Sequence, residues 1–349
     1  MKNVRFGLRI PPCADVREVA ASARAAEEAG FDVAWLPDSQ FLWRDVWSSM
    51  TAAALATESI AVGTCVTQFE TRDVTVTAAA AATIEELAPG RTILGVGTGD
   101  SAIKTLGLKP TRLARMREQI ETCRSLWTGE AVDFNGRVMS LRAATGQRIP
   151  VYVAATGPKA LALAGEIADG VIVLAGVAPE LIERTVSYIR EGAERAGRDI
   201  SEIDICLGTF CHLTDDEREA ARIVKPYACT VAQIGGKDAL ELIGIDVDVP
   251  SVIPDVYPDM AHAEDWDNAC DVAGRWITDE MARRYADKFC FVGDAAHVMR
   301  QIETALECGI TSFYIRHFSS YTLPHEVLET FGSQIIPHFS GRSVGPVSG

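Results

Sequence analysis

The sequence contains no apolar run long enough to cross a membrane and no excess of positive charge. A membrane-spanning helix needs about 18 to 20 consecutive apolar residues, and no such run occurs. Aspartate and glutamate outnumber lysine and arginine by 48 to 33, which gives a formal net charge of −15. Because nucleic-acid phosphates are bound by basic faces, we expect neither a membrane nor a nucleic acid as a partner.

Paired cysteines and metal-ligand motifs are also missing from the sequence. The nine cysteines form no C-x-x-C pair, their number is odd, and the histidines show no H-x-x-x-H spacing. Disulfide frameworks and zinc sites commonly show such spacings. The segment from Met1 to Arg5 enters an alternating strand rather than the apolar core of a signal peptide. We therefore expect a cytoplasmic protein without a bound metal.

Short apolar strands alternate with helical segments along most of the 349 residues. Seven strands precede a break in this rhythm at about 235–287, and one strand follows it, as expected for a parallel α/β fold. An eight-stranded (β/α)8 barrel and an open doubly wound sheet both fit, and we favour the barrel. We interpret the break as an insertion or lid within a single domain of residues 1–339, followed by a flexible tail at 340–349.

Two local patterns predict smaller features. Asn135-Gly136 between two alternating segments is a strong signal for a type I′ hairpin turn. Trp43 and Trp47 are four residues apart within residues 41–58, which we predict to be helical. Because residues four apart share a helix face, we expect both rings on one side of that helix.

The most informative stretch runs from Ile60 to Gly107. It predicts a strand, an Ala-rich helix and a second strand, and both strands end in small residues. The second strand ends in a turn, residues 95–100, whose G-x-G-x-G spacing differs from the G-x-G-x-x-G dinucleotide fingerprint. Neighbouring parallel strands with such ends leave room at their C-terminal face, where α/β barrels carry their active sites.

The same stretch resembles the bacterial luciferase-like superfamily. The motifs that carry the resemblance are Gly-Thr-Cys-Val-Thr at 63–67, Thr71-Arg72, Glu85-Glu86-Leu87, Gly90-Arg91 and the turn Gly95-Val96-Gly97-Thr98-Gly99-Asp100. Within that superfamily the chain is most similar to methylenetetrahydromethanopterin reductases and other deazaflavin (coenzyme F-420) oxidoreductases. The likeness extends from Phe6 to Thr311, most of the chain. It implies a (β/α)8 TIM barrel with insertions that binds a flavin or deazaflavin at its C-terminal face.

The resemblance also implies where the cofactor lies. A non-prolyl cis peptide is expected at Cys65–Val66, against the cofactor ring; the alternative is a regular strand end. Cofactor-binding groups are expected in two loops, formed by Thr98, Gly99 and Ser101 and by Ala155, Thr156 and Gly157. The second loop has independent support, because Pro158 at a first helical position, preceded by glycine, leaves the helix N-terminus open to an anion. A tight turn and a plainly capped helix are the alternatives.

Three residues are predicted to take part in catalysis. By the resemblance, Asp100 corresponds to an acidic residue near the reacting centre, and Asp38 follows the second strand at the functional end. Many relatives carry histidine after this aspartate, where this chain has Ser39. Arg9 replaces a glutamate of the methanopterin reductases, which puts their substrate in doubt. An arginine at this position would either grip an anionic group or form an ion pair inside the barrel mouth.

Four further residues are candidates for the substrate pocket: Ser39, Trp43, His212 and His317. The pairs Cys211-His212 and Arg316-His317 end the seventh and eighth predicted strands. We expect one residue of each pair to face the mouth. A lone histidine is more often a structural hydrogen-bond donor than a catalyst, so the histidines are the weaker candidates.

These patterns and the resemblance predict an oxidoreductase that moves hydride between coenzyme F-420 and a small organic substrate. One alternative is an FMN-dependent two-component monooxygenase, supplied with reduced flavin by a partner reductase. Another is a non-catalytic flavin-binding protein, which the absence of histidine beside Asp38 favours and a near-complete barrel disfavours. Because relatives commonly dimerise through barrel helices, we expect a homodimer.

Overall fold

Eight parallel strands form a closed barrel in the computed structural model, which describes residues 2–341 and 343–344. The strands are β1 (Arg5–Arg9), β2 (Val33–Leu36), β3 (Ala61–Thr64), β4 (Thr92–Val96), β5 (Val151–Ala155), β6 (Gly170–Val173), β7 (Asp204–Leu213) and β8 (Ser312–Arg316). Each strand pairs with the next, and β8 pairs with β1, which closes the ring. The predicted (β/α)8 barrel is confirmed, and the open sheet is excluded.

Helices cover the outside of the barrel. They are α1 (Val16–Glu28), α2 (Val46–Ala56), α3 (Val74–Leu87), α4 (Leu113–Thr128), α5 (Pro158–Ile167), α6 (Pro179–Arg195), α7 (Ala295–Glu307) and α8 (His325–Gln334), with short helices at Ser101–Lys104 and Ile336–Phe339. Their apolar faces pack on outward-facing strand residues such as Phe6, Leu94 and Phe313 to form the main core. The barrel thus has one core outside the strands and a second, smaller one inside them.

The hairpin after α4 has the predicted turn. Strands Val132–Phe134 and Arg137–Met139 pair antiparallel, with Phe134 opposite Arg137. Asn135 and Gly136 have φ angles of 56° and 84°, as both central residues of a type I′ turn require.

The prediction that Trp43 and Trp47 share a helix face was wrong. Helix α2 begins at Val46, and the carboxylate of Asp45 accepts a hydrogen bond from the N–H of Ser48 as its N-cap. An N-cap residue has non-helical dihedral angles, so the helix cannot continue back to Trp43. Trp43 therefore lies in the loop between β2 and α2.

A helical segment, residues 217–289, lies between β7 and β8 and has its own core. Its helices are Glu217–Ile223, Lys225–Gln233, Lys237–Leu242, Trp266–Ala273 and Asp279–Phe289, with a 3-10 turn at Met260–His262. Buried side chains such as Tyr227, Leu240 and Ile277 pack together inside it. The segment begins before residue 235 and ends after residue 287. A short strand that was not predicted, Phe291–Gly293, follows it and pairs in parallel with the end of β7.

The ends of the chain pair with each other. Ser343–Val344 forms an antiparallel pair with Lys2–Asn3. Residues 342 and 345–349 of the predicted tail lie outside the described residues. Among the helices that are described, none is long and apolar enough to span a bilayer.

Large side chains inside the barrel face glycines on neighbouring strands. Trp35 on β2 lies between Gly7 on β1 and Gly63 on β3, where added Cβ atoms would approach the indole to 2.3 and 2.6 Å. Tyr152 on β5 faces Gly170 on β6 in the same way, at 2.5 Å. Because protein interiors are close-packed, each ring occupies the space that its neighbour's side chain would need.

A buried carboxylate network closes the N-terminal end of the barrel. Asp204 accepts hydrogen bonds from Arg5 at 2.5 Å, Tyr152 at 2.6 Å, Thr311 at 2.5 Å and Ser312 at 2.9 Å. Burial opposes the charge of Asp204, but Arg5 and the hydroxyl groups outweigh it and lower the pKa of the carboxyl. This end is filled, so the site must be sought at the C-terminal end.

The fit between Trp35 and its glycines can be tested by adding one methyl group. We expect Gly63→Ala to destabilise the protein by about 1–3 kcal/mol, because the methyl group overlaps the indole. Gly157→Ala is the matched control, since its Cβ would meet nothing within 4 Å. Urea unfolding measures both changes. The explanation fails if combining Gly63→Ala with Trp35→Leu costs as much as the sum of the two single changes.

Candidate active site

Small side chains form a floor at the C-terminal ends of β3, β4 and β5. The peptide bond between Cys65 and Val66, directly after β3, is cis, as predicted. Val66 reaches over β4, because a Cβ atom on Gly97 would lie 3.0 Å from its Cγ2 and 3.8 Å from the Cβ of Ala154. Cys65, Val66 and Ala154 all keep solvent-accessible surface. The floor is therefore made of small side chains that remain partly exposed at the mouth.

Asp38 holds the loop that carries the cis peptide. The hydroxyl of Thr67 donates to Asp38 Oδ2 at 2.7 Å, and Arg72 forms an ion pair with the same oxygen. Arg72 also contacts Asp45 at 2.8 Å. Burial raises the pKa of Asp38, and the positive charge of Arg72 opposes this effect. Asp38 thus links the loop after β2 to the loop after β3 at the mouth, and its predicted catalytic role stays a prediction.

The first predicted phosphate-binding loop lies after β4. Gly99 has a φ of 96°, a conformation that glycine adopts at little cost, and Thr98 is partly exposed. The hydroxyl of Ser101 donates to the hydroxyl of Ser39 at 3.0 Å, and Ser39 is 1% exposed. Ser39 therefore connects the loop after β2 to the loop after β4.

The second predicted loop lies after β5. Ala155 is buried at the strand end, whereas Thr156 and Gly157 are exposed. Gly157 is the N-cap of α5, and no side chain caps this helix end. Nothing lies within 4 Å of the place where a Cβ on Gly157 would be. The free N–H groups of the first turn and the helix dipole favour a negative group here.

The structure does not bring Asp100 together with Asp38 or Arg9. The side chain of Asp100 is 68% exposed and forms an ion pair with Lys104, four residues along the chain. Its predicted role near the reacting centre stays a prediction. Among the described residues, no cluster of three or more His, Cys, Asp or Glu side chains could hold a metal ion.

Arg9 lies buried at the end of β1, across the mouth from the floor. It is 2% exposed and donates to Ser320 Oγ at 3.3 Å and to the carbonyl oxygen of Ser319 at 3.5 Å. Burial lowers the pKa of Arg9, and the neighbouring Arg316 adds to this effect. Within the described part of the chain, Arg9 has no carboxylate in ion-pair range, so the alternative of an internal ion pair is wrong.

Trp43 joins Arg9 to the helical segment. The guanidinium carbon of Arg9 lies 5.2 Å from the centre of the indole ring, and the indole N–H donates to the carbonyl oxygen of Ser320 at 2.7 Å. His262 meets the same indole edge-on at 6.0 Å, and its Nδ1 lies 3.0 Å from Asp259. The 3-10 turn of residues 260–262 therefore lies against the mouth beside Arg9.

Arg316 is the member of the pair Arg316-His317 that reaches the mouth. Its guanidinium carbon lies 3.9 Å from the ring centre of Phe210, and its Nε is buried without a hydrogen-bond partner. His317 instead bonds through Nε2 to the carbonyl oxygen of Thr322 at 2.7 Å. Burial lowers the pKa of His317 to about 3, so this imidazole is neutral at pH 7.

His212 does not lie in the mouth but at a contact between two helices. Its Nδ1 is 2.7 Å from Glu326 on α8, and its Nε2 is 3.3 Å from Glu219 on the helix Glu217–Ile223. Burial opposes protonation of the imidazole, but the two carboxylates outweigh it and raise the pKa of His212 above 6.5. A structural ion pair is the role that this arrangement supports.

Three residues of the mouth were missed by sequence reasoning: Tyr314, Tyr227 and Leu174. Tyr314 shares a hydrogen bond with Cys65 on the floor, and Leu174, 47% exposed, lies just beyond β6. The strand period of two would have pointed Tyr314 inward with Arg316. Nothing in the local sequence around Tyr227 indicates the mouth, because tertiary packing of the helical segment brings it there.

Comparisons with known proteins agree with this geometry. The family model of the luciferase-like monooxygenases matches residues 4–312. A 5,10-methylenetetrahydromethanopterin reductase of Methanolobus tindarius is 32% identical over 88% of this chain and 92% of its own length. An F-420-dependent glucose-6-phosphate dehydrogenase of Nakamurella multipartita is 30% identical over 92% and 91%. The structure of the coenzyme F-420-dependent tetrahydromethanopterin reductase of Methanopyrus kandleri superposes with a TM-score of 0.76, at 26% identity, over 97% and 99%.

The chain therefore belongs to the luciferase-like monooxygenase family. The relatives are oxidoreductases, and the enzyme class predicted from the sequence is confirmed.

The link between Thr67 and Asp38 can be tested with an isosteric change. We expect Thr67→Val to cost about 1–3 kcal/mol, because a buried carboxylate loses one hydrogen bond. Thr185→Val is the matched control: Thr185 is also buried, but its hydroxyl donates to the helix carbonyl of Leu181. Chemical unfolding measures both variants. An equal or larger loss in Thr185→Val would contradict the importance of the Asp38 link.

The His212 contact predicts a pH-dependent contribution to stability. Because the folded-state pKa of His212 is raised, its stabilisation is complete below about 6.5 and is lost as the pH rises through the folded-state value. We expect the difference in Tm between the native chain and His212→Gln to shrink from pH 6 to pH 9. Thermal unfolding across this range measures it. A difference that stays constant would show that the charge of His212 contributes nothing.

Proposed function

We propose that this enzyme uses coenzyme F-420 to transfer hydride to or from a small organic substrate at the barrel mouth. The observation that carries the proposal is the floor of partly exposed side chains, Cys65, Val66 and Ala154, at the same end of the barrel as an uncapped helix N-terminus. The F-420-dependent dehydrogenase and the F-420-dependent reductase among the similar proteins support it. When bound, the deazaflavin would accept or donate the hydride at its C5 atom.

The residues at the mouth fit a planar ring that carries a phosphate. Small side chains on the floor leave space above them, and a residue larger than glycine at position 97 would contact Val66. The loop residues Thr98, Gly99 and Ser101 and the residues Thr156 and Gly157 offer hydroxyl and backbone N–H donors. These two loops would hold the phosphate, since both present donors and the acid of the first loop, Asp100, is paired with Lys104.

The chain itself would orient the ring and exclude water. Asp38, through Thr67 and Arg72, positions the floor, and Trp43 with the 3-10 turn at residues 260–262 shields the side of the mouth near Arg9. We propose that the helical segment acts as a lid over this side. Asp100 and Asp38 are the carboxyl groups that we propose to hold or release the proton that accompanies hydride transfer.

The proposal includes a homodimer in the cytoplasm. Leu55 on α2 is 68% exposed beside a groove that α1 and α2 line with alanines, and this apolar surface supports a subunit contact there. All nine cysteines are free, which supports a reducing compartment. Arg9 in place of a glutamate favours a substrate other than methylenetetrahydromethanopterin.

Spectroscopic titration with each cofactor tests the proposal. We expect F-420 to bind and FMN not to bind, and Thr156→Glu to weaken F-420 binding about tenfold or more, because a like charge approaches the phosphate. Thr128→Glu, an exposed threonine at the far end of α4, is the matched control and should bind as the native chain does.

One result would overturn the F-420 proposal, and a second would overturn only the placement of the phosphate at the loop after β5. Binding of FMN alone would instead support a two-component monooxygenase that depends on a flavin reductase. Equal loss of affinity in Thr156→Glu and Thr128→Glu would show that the loop after β5 does not hold the phosphate.

A further inference from the structure

We propose that Arg9 and Arg316 together bind an oxyanion group of the substrate, either a carboxylate or a phosphate monoester. The proposal rests on the proposed function, because it names the class of molecule that would exchange hydride at this mouth. It goes beyond that function in assigning a second anion site, separate from the loops after β4 and β5. The two guanidinium groups carry the proposal, because neither has an acidic partner among the described residues.

Arg9 is a buried cation that has no counter-ion among the residues that the structure describes. It is 2% exposed, and its two hydrogen bonds, at 3.3 and 3.5 Å, are long and go to neutral oxygens of Ser320 and Ser319. Its guanidinium group also lies over the face of Trp43. A buried charge is costly unless it is paired, so this arrangement is understandable if a ligand supplies the missing charge.

Arg316, at the end of the neighbouring strand β8, is also a cation without an acidic partner among the described residues. It stacks on Phe210 at 3.9 Å and lies within 6 Å of the ring centres of Tyr227 and Tyr314. Its Nε is buried and bonds to nothing, and within the described residues no ion pair includes this side chain. Leu8 on β1 pairs with Ile315 on β8, so Arg9 and Arg316, one residue further along each strand, lie at the ends of neighbouring strands. The fold therefore holds two like charges next to each other.

The acids near the mouth already have partners. Asp38 is paired with Arg72, and Asp259 is bonded to His262 and to backbone N–H groups. A planar guanidinium binds carboxylate and phosphate through two parallel N–H donors, and two such groups fit one compact oxyanion. Leu174 is 47% exposed on the other side of Tyr314, where both side chains meet over Gly208. A small anion with a short apolar portion therefore matches this surface.

Anion binding can be measured on the cofactor-free protein. Calorimetry and thermal unfolding with sodium acetate and with sodium phosphate, at ionic strength held constant with chloride, test the two oxyanion types separately. The variants are Arg9→Gln and Arg316→Met, with Arg137→Met, an exposed arginine of the hairpin, as the matched control. Thr156→Glu shows whether phosphate binds at the loop after β5 instead.

We expect acetate or phosphate to bind the native chain and to raise its Tm, and either arginine variant to lose at least tenfold in affinity. Both arginine variants should melt at the same temperature as the native chain or higher, since each removes an unpaired buried charge. Arg137→Met should bind as the native chain does. Acetate alone would indicate a carboxylate substrate, and phosphate alone a phosphate monoester.

Three outcomes would overturn the proposal. The first is unchanged affinity in both arginine variants, and the second is loss of binding in Thr156→Glu alone. The third is a large fall in Tm in both variants without any anion effect on the native chain, which would show a structural role. Because no cofactor is present, a failed F-420 titration leaves this result intact, and a failed anion titration leaves the cofactor proposal intact.

Discussion

The structure depends on how the inside of the barrel is filled. Trp35 and Tyr152 occupy the interior because glycines stand on the neighbouring strands, and Asp204 with Arg5 fills the end below them. For a ligand to enter, these large side chains must not fill the C-terminal end of the barrel. They stop short of it at Cys65, Val66 and Ala154, where small side chains replace the large rings. The depth of the site is therefore set by the sizes of a few side chains.

Charge at the mouth is distributed unequally. On the side of β2 and β3, Asp38 and Arg72 neutralise each other and hold the loop of the cis peptide in place. On the side of β1 and β8, the guanidinium groups of Arg9 and Arg316 have no acidic partner among the described residues. The chain as a whole is strongly acidic, with a formal charge of −15. A local cationic surface in an acidic protein gives a small anion a defined position and orientation, which a general positive charge would not.

The helical segment between β7 and β8 contributes one side of the mouth, and it is the part of the fold that the sequence predicted least well. The strand–helix rhythm disappears there, and the short strand Phe291–Gly293 was missed because three residues carry too little periodic signal. Trp43 was assigned to a helix because its spacing from Trp47 is helical, yet Asp45 caps α2 two residues further on than Trp43. A capping side chain outweighed the apolar period, as it does wherever it satisfies the free N–H groups of a helix end.

The sequence by itself determined the alternation of the eight barrel strands with helices, the family and the small-residue ends of β3, β4 and β5, because these depend on local periodicity and on motifs. The tertiary structure decided which side chains meet. It placed His212 between Glu219 and Glu326, and it brought Arg9 and Arg316 together at the ends of the paired strands β1 and β8. Such pairings join residues that are up to about 300 positions apart, and no local pattern carries them.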